Sequence, residues 1–434
     1  MSFLTLLNSN PPHLFDRDRY EAYFDGKKRL DALGVTLPPE MRVLELIVDW
    51  PRIQVESLEE RLKVQGFFRA GEDEADTRLW TWWQSNMMDT NSSLLHIETF
   101  VQGRGFGLVG PGEGDIPKIT VHDGVGVRIR TDPNTNRVIE GLITYKLADG
   151  SDGASYYTPG KTQTWGKLNG VWRLMKQFDS GMSRVPLVPF VNRARIGDRH
   201  GRSEMVDVMR VTDAASRAIT NLQAALELVA LPTRYFLGGD GKTFIDKGTG
   251  KPIPEWEAYI GRFVTGPSGA NVGSLPGANL DQITSTMRFY GAMVSSSTGM
   301  PLHYLGISGD NPPSAESLNA QSHRHITKAE KKQTLLGDSY SELMQLAEEL
   351  VDGGVKPDAA RLETDWRDAS TPNLQSVAQA IQSLAQGDHP IIPPKVARDY
   401  LRLTPEQKRI SDEWEANNPL QSLANAVGAN GRAQ

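Results

Sequence analysis

The segment Gly241-Lys242-Thr243 carries the clearest potential chemistry, because Gly-Lys-Thr at the start of a helix can hold the phosphates of a nucleotide. A phosphate-binding loop also needs a glycine five positions before Gly241, and Phe236 stands there. The next residues, 244–250, are too rich in glycine to open a helix. We therefore expect no nucleotide site, and a nucleic-acid-processing ATPase is only the less favoured alternative.

Other patterns that suggest chemistry also have ordinary explanations. Gly105, Gly107 and Gly110 have the spacing of a dinucleotide-binding turn, but Pro111 follows directly, so a strand with bends is favoured. His323 and His325 stand two apart on a predicted helix and so project to different faces. With no cysteine in the chain, thiolate metal sites and cysteine nucleophiles are excluded. We predict no catalytic residues, no metal and no cofactor.

One basic cluster is retained as a candidate site. Arg324, Lys328 and Lys331 recur on one face of a predicted helix, and contact with phosphates requires repeated cations on one side of a rigid element. Lys332 is predicted to lie on the same face. Two alternatives are a solvated helix face and salt bridges to a neighbouring subunit.

The composition limits what this cluster can do. Lys and Arg number 47 against 53 Asp and Glu, so the net charge of −6 does not favour strong binding of nucleic acid by the chain as a whole. The hydrophobic fraction of 38% is that of an ordinary globular protein. The N-terminus lacks the pattern of a secretory signal and no long apolar run occurs, so we expect neither secretion nor a membrane span.

Hydrophobic periodicity predicts an α+β protein. Residues 94–190 alternate in short runs between turn dipeptides, which predicts an antiparallel β module that ends in a proline-containing edge strand. Residues 203–231, 279–298 and 314–352 predict long helices, the first with Ser203 as its N-cap. Shorter helices are predicted near both termini, over 16–33, 74–88, 374–385, 395–401 and 405–415.

The first long helix has a seam of small residues that allows another helix to approach closely. Ala215, Ala218, Leu222 and Ala225 fall on it at spacings of three and four. Helix faces that need partners, without any visible catalytic set, favour an assembly protein over an enzyme.

At these residues the chain resembles the portal proteins of tailed bacteriophages, of the siphophage type found in actinobacterial hosts. The most specific stretch is Thr298-Gly-Met-Pro-Leu-His-Tyr-Leu-Gly306 followed by Asn311-Pro-Pro-Ser-Ala-Glu-Ser-Leu318, where Pro313 replaces the family's usual serine. Residues 185–192 followed by Gly201-Arg-Ser-Glu204 are similar to the family's entry into its first stem helix. Residues 48–55 are similar to its opening.

The resemblance implies an α+β portal fold with a helical stem, a mixed α/β wing, a small clip insertion, a long wing helix and a helical C-terminal crown. It assigns residues 1–201 to the wing, 202–231 and 277–299 to two stem helices, 232–276 to the clip, 300–313 to the tunnel loop, 314–354 to the long wing helix and 355–434 to the crown.

The same resemblance implies a function. Portal proteins form a ring, usually a dodecamer, at one vertex of the virion capsid, after a period in the host cytoplasm, and double-stranded DNA is packaged and ejected through it. Expected partners are the terminase large subunit, a head-completion adaptor and a major capsid or scaffold protein. Another virion assembly protein, such as a minor capsid or adaptor protein, is the alternative.

Three sets of residues follow from the assignment as candidates. The DNA-channel set is His303, Tyr304, Asp310, Arg324, Lys328 and Lys331; the clip set, for partner binding, is Lys242, Lys247 and Trp256; the subunit-packing set is Ala215, Ala218, Leu222 and Ala225.

Overall fold

The computed structural model describes most of the 434-residue chain. The described residues are 3–9, 16–31, 44–69, 72, 75–229, 234–237, 271–274, 281–307, 315–354, 362–370, 381–382 and 405–416. They divide into two compact units. The first contains the described parts of 1–21, 53–206 and 314–434, and the second those of 22–52 and 207–313.

The β module of the first unit contains two antiparallel sheets. Strand β2 (Arg104–Glu113) lies between β3 (Ile116–His122) and β9 (Leu187–Val191). The second sheet has five strands in sequence order: β4 (Val127–Thr131), β5 (Val138–Lys146), β6 (Asp152–Thr158), β7 (Lys161–Leu168) and β8 (Val171–Asp179). The predicted edge strand is confirmed, since among the described residues β9 pairs only with β2.

The five-stranded sheet is covered on both faces, but not along its whole width. On one face, helix α1 (Phe3–Leu7) packs Phe3 and Leu6 against Ala154 and Tyr156. On the other face, side chains of β4 and β5 form a core with β2 and β9. That core comprises Phe106, Val127, Ile143, Val185 and Leu187.

Helices precede the sheets in the chain. After α2 (Arg17–Phe24) come α3 (Trp50–Glu59), strand β1 (Val64–Arg69), α4 (Thr77–Ser85) and α5 (Met88–Gln102). The predicted helix over 16–33 is therefore too long. The predicted start of the β module at residue 94 is wrong, because α5 continues to Gln102 and Leu95 and Phe100 bury their side chains in the core.

The long helix α8 (Ala315–Asp352) has 38 residues and forms the centre of the first unit, while α6 (Val206–Val229) and α7 (Asp281–Thr298) belong to the second. It packs against β2, β9 and β12 (Leu362–Trp366). Tyr340 is fully buried, donates or accepts a hydrogen bond with Nε2 of His96 at 2.9 Å, and makes ring contacts with Trp83 and Phe190. The predicted boundaries of this helix, 314–352, are confirmed within one residue.

Glycine in β2 permits this packing. A Cβ atom at Gly107 would lie 2.9 Å from Cδ1 of Leu343 on α8, too close for an ordinary contact. The Gly105–Gly110 pattern therefore belongs to a strand, as predicted, and not to a dinucleotide-binding turn.

The region after α8 is not purely helical as the crown prediction implied. Strand β12 pairs antiparallel with β1, a pairing that the sequence analysis missed. Helix α9 (Pro405–Ala416) agrees with the prediction. Most of the predicted helix at 374–385, and all of that at 395–401, lie outside the described residues.

The second unit contains two of the predicted long helices, α6 (Val206–Val229) and α7 (Asp281–Thr298). Side chains of α6 hold an extended segment: Oγ of Ser216 and Oγ1 of Thr220 each accept a hydrogen bond at 3.0 Å from the backbone N–H of Val48 and Leu46. Strands β10 (Arg234–Leu237) and β11 (Asn271–Ser274) pair antiparallel. The predicted strand at 259–264 lies outside the described residues.

One tight turn closes the loop between β9 and residue 204. Gly201 has a φ of +86°, and a Cβ added there would meet the carbonyl oxygen of Gly103 at 2.2 Å. The neighbouring Arg202 donates its N–H to the carbonyl of Asn192 at 2.9 Å. Because the opposing atom belongs to the backbone, no side-chain movement can relieve the contact.

We predict that Gly201→Ala lowers the free energy of unfolding by about 2–4 kcal/mol, because a side chain there combines backbone strain with a clash. Chemical denaturation measures the change. Gly197→Ala is the matched control, since a Cβ at this exposed glycine of the same loop meets nothing within 4 Å. Equal stability of the two variants would contradict the prediction.

Candidate functional site

The candidate site begins with a buried carboxylate. Glu204 follows the Gly201 turn and is almost completely buried. Helix α8 presents Lys328 and Lys332 to it, one turn apart. Nζ of Lys332 lies 2.9 Å from Oε2 of Glu204, and Nζ of Lys328 forms a salt bridge with Oε1.

Asn192, at the end of β9, completes this cluster. Its Nδ2 donates hydrogen bonds to the carbonyl of Arg202 at 2.8 Å and to Oε2 of Glu204 at 3.1 Å. Its Oδ1 accepts a hydrogen bond from Nζ of Lys332. The four residues Asn192, Glu204, Lys328 and Lys332, here called the Glu204 cluster, tie the strand, the turn and the long helix together.

Electrostatics explains why the carboxylate stays charged. Burial alone would raise the pKa of Glu204, but the two lysines and their hydrogen bonds hold it well below its usual range. Burial lowers the pKa of Lys332, and Glu204 opposes that change. Because the pKa of Glu204 is depressed, its contribution to stability is present above the unfolded-state pKa and is lost as the pH falls through the folded-state value.

His325 lies beside the cluster on α8 and is buried. Its Nε2 is 3.2 Å from the carbonyl oxygen of Ser57. Burial lowers its pKa to about 4, so the ring is neutral at pH 7 and adds no charge to the cluster. His323 is exposed, which agrees with the prediction that the two histidines face different sides.

The structure divides the predicted basic face of α8. Arg324 and Lys331 are exposed, as the prediction requires. The inclusion of Lys328 and Lys332 on the same solvated face is wrong, because Lys332 is buried and both ammonium groups pair with Glu204 inside the chain. The spacing of Lys328 and Lys332 gave a signal for this in the sequence. Two lysines four residues apart lie on one helix face, and if that face is buried they require an acidic partner.

The first long helix starts later than the sequence predicts. Ser203 is predicted as its N-cap, but α6 begins at Val206, so Glu204 lies in the turn before the helix. Ser203 is nevertheless buried, and its Oγ accepts a hydrogen bond from the N–H of Met205 at 3.2 Å.

The tunnel-loop candidates lie in a short 3₁₀ turn, Leu302–Leu305, between Pro301 and Gly306. His303 is exposed and Tyr304 is half-buried. Their rings make an edge-to-face contact with centroids 4.7 Å apart. Asp310, the third candidate of this loop, lies outside the described residues.

The subunit-packing candidates on α6 do not behave alike. Ala215 is fully buried within the chain, so its assignment to a subunit contact is wrong. Ala218, Leu222 and Ala225 are only half-buried and retain surface for a neighbour. The clip candidates Lys242, Lys247 and Trp256, and the Gly241-Lys-Thr segment, lie outside the described residues.

In the part of the chain that the structure describes, no group of three or more His, Asp or Glu residues is arranged to hold a metal ion. Within the same residues, no helix combines the length and the apolar character needed to cross a bilayer.

Comparison with known proteins gives a consistent result. The family model described as "Phage portal protein, SPP1 Gp6-like" matches residues 17–419. Two curated relatives, both named "Portal protein" and from Mycobacterium phages L5 and D29, are each 33% identical over 425 residues, covering 94% of this chain and 87% of the relative.

Solved structures of gene transfer agent particles also resemble the chain. One chain from the virion of the native particle aligns with a TM-score of 0.47 at 13% identity, covering 88% of this chain and 92% of its own. A chain from the native particle's neck, computed with twelve-fold symmetry, aligns with a TM-score of 0.46 at 14% identity, covering 89% and 98%.

We predict that Glu204→Gln lowers the free energy of unfolding by about 3–5 kcal/mol, because it leaves two ammonium groups without their buried counter-charge. Chemical denaturation at pH 7 measures it. Glu330→Gln, at an exposed position on the same helix, is the control and is expected to change stability by less than about 0.5 kcal/mol.

A second variant identifies the cause. Adding Lys332→Met to Glu204→Gln removes one of the stranded charges and is expected to recover part of the loss. A double variant that is as unstable as the sum of the two single variants would show that the lysine and the carboxylate are not coupled.

Proposed function

We infer the function from kinship, because this chain belongs to the phage portal protein family. We propose that about twelve copies form a closed ring at one vertex of a virion capsid, and that double-stranded DNA is packaged and ejected through its channel. The observation that carries this proposal is the family match over residues 17–419. The family is structural and not enzymatic, which agrees with the sequence prediction of no catalytic site.

The helices are suited to such a ring. At about 1.5 Å per residue, α6 is about 36 Å long and α8 about 57 Å, so each is long enough to line a thick wall. Half-buried Ala218 and Ala225 leave one face of α6 open to close approach. In this proposal α6 and α7 are the stem helices, 232–276 the clip, 300–313 the tunnel loop and α8 the long wing helix.

The charges also fit a channel through which DNA slides. Each phosphate that is neutralised adds salt-dependent affinity, so a conduit needs few exposed cations. The chain carries a net charge of −6, and Glu204 pairs with two of the four cations between Arg324 and Lys332 of α8. We propose that Arg324, Lys331, His303, Tyr304 and Asp310 approach DNA, without sequence preference.

The remaining partners follow from the position of a portal. We propose that the clip, with Lys242, Lys247 and Trp256, meets the terminase large subunit during packaging and a head-completion adaptor afterwards. The wing meets the major capsid or a scaffold protein. The protein then resides in the virion.

We predict that the purified protein, imaged by cryo-electron microscopy, gives class averages of a closed ring with a hole wide enough for a duplex. The physical reason is that binding between two different surfaces of the same chain rotates each copy by a fixed angle relative to the previous one. The ring closes when a whole number of these rotations makes a full turn. A symmetric dimer as the largest species would contradict the proposal.

We predict that the double variant Arg324→Glu and Lys331→Glu packages less DNA, because a duplex that passes this face meets added negative charge. The measurement is the amount of nuclease-protected DNA per particle. Lys63→Glu, at an exposed cation of the first unit, is the control. Unchanged packaging by the double variant would remove α8 from the DNA-facing set.

A further inference from the structure

The far end of the five-stranded sheet carries an apolar surface that nothing in the described chain covers. The core formed with β2 and β9 reaches only β4, β5 and Tyr157 of β6. Beyond it, six large apolar side chains are each 38–60% exposed. They are Tyr145, Leu147, Leu168, Val171, Met175 and Phe178, here called the hairpin patch.

The strand register places members of this patch on one face. Gly153 and Gly166 pair directly across β6 and β7. A Cβ at Gly153 would meet the ring of Tyr145 at 2.7 Å, and a Cβ at Gly166 would meet Cγ of Met175 at 3.3 Å. Leu168 pairs with Val171 at the end of the same hairpin. Because the two glycines have no side chains, the side chains of Tyr145 and Met175 lie over them on this face of the sheet.

The patch ends at an open strand edge. β8 is the last strand in the sheet order, and among the described residues only β7 pairs with it. Arg173 and Lys176 are exposed on this strand, and Nζ of Lys176 lies 5.8 Å from the ring centroid of Phe178. The surface is therefore apolar with a basic border.

A second surface of the same unit has the opposite border. At the β2–β3 turn, Ile116 pairs with Glu113, and Asp115 stands beside it; all three are exposed. The side chain of Asn86 fixes this hairpin to the loop before α5, donating to the carbonyl of Pro117 at 2.9 Å. The next residue, Met87, is 68% exposed. These four exposed residues, Met87, Glu113, Asp115 and Ile116, are here called the acidic turn.

We propose that the hairpin patch of one copy binds the acidic turn of a second copy of this chain. The apolar side chains of the two surfaces would bury one another, while Arg173 and Lys176 meet Glu113 and Asp115. This contact joins two different surfaces, so every copy offers both halves and the contact can repeat around a ring. The inference rests on the proposed function, since it supplies one of the contacts that a portal ring needs.

The charges favour this pairing over the simplest alternative. Two β8 edges that paired with each other would place two exposed cations from each copy, Arg173 and Lys176, along one shared strand edge. Like charges facing each other across strands are destabilising, and cations on an edge strand are a common means of preventing edge-to-edge association. The acidic turn replaces this repulsion by attraction.

The chain has no cysteine, so in a cross-linking test only the introduced thiols can react. The double variant Ile116→Cys and Met175→Cys places one thiol on each surface at exposed positions, so folding should be unaffected. Treatment of the assembled protein with a short bismaleimide is expected to give a ladder of covalent oligomers on a denaturing gel. Each single variant is expected to stay monomeric, and an assembled mixture of the two single variants is expected to give dimers and nothing larger.

Two results would overturn the proposal: dimers from Met175→Cys alone, which indicate edge-to-edge pairing, and the absence of a ladder from the double variant. Imaging the same samples separates this inference from the proposed function. Closed rings without a ladder reject the contact and leave the ring intact, whereas a ladder from open chains supports the contact and rejects the ring.

Charge exchange gives an independent readout. Arg173→Glu with Lys176→Glu is expected to reduce the ladder at least tenfold, and adding Glu113→Lys with Asp115→Lys is expected to restore it. A ladder that is insensitive to the first pair of changes would overturn the assigned charge contacts.

Discussion

The pairing of Glu204 with Lys328 and Lys332 is the interaction on which the first unit depends. A carboxylate without water is tolerated only when opposite charge and hydrogen bonds surround it, and here both come from distant parts of the chain. Glu204 follows a strained turn, Asn192 ends a strand, and the lysines belong to the long helix. One buried charge therefore fixes the position of α8 relative to β9 and the Gly201 turn.

The same arrangement divides the cations of α8 between buried ion pairs and the exposed surface. Lys328 and Lys332 turn inward to Glu204, while Arg324 and Lys331 remain exposed on the same helix. A protein that must let DNA pass has a physical reason to hide some of its cations, because exposed ones add affinity for each phosphate. The ion pairs thus stabilise the fold and limit the basic surface at the same time.

One face of the five-stranded sheet is buried at one end and exposed at the other. Near β4 and β5 its outer face is buried by β2 and β9, and near β8 it carries the exposed hairpin patch. Exposure of those apolar side chains to water is unfavourable, and in the proposed contact a neighbouring copy would cover them. The basic border on β8 and the acidic turn would then give the proposed association a direction.

The sequence by itself determined the long elements and the family. Periodicity located α8 within one residue and the β module in outline, and the motif from Thr298 to Leu318 identified the portal resemblance. Only the tertiary structure decided what single residues do. It moved the start of the β module from residue 94 to the strand after α5, paired β12 with β1, buried Ala215 inside the chain and turned Lys328 toward Glu204. The reason is physical: periodicity reports which face of an element is apolar, whereas a salt bridge or a strand pairing depends on partners more than a hundred residues away, whose proximity no local pattern encodes.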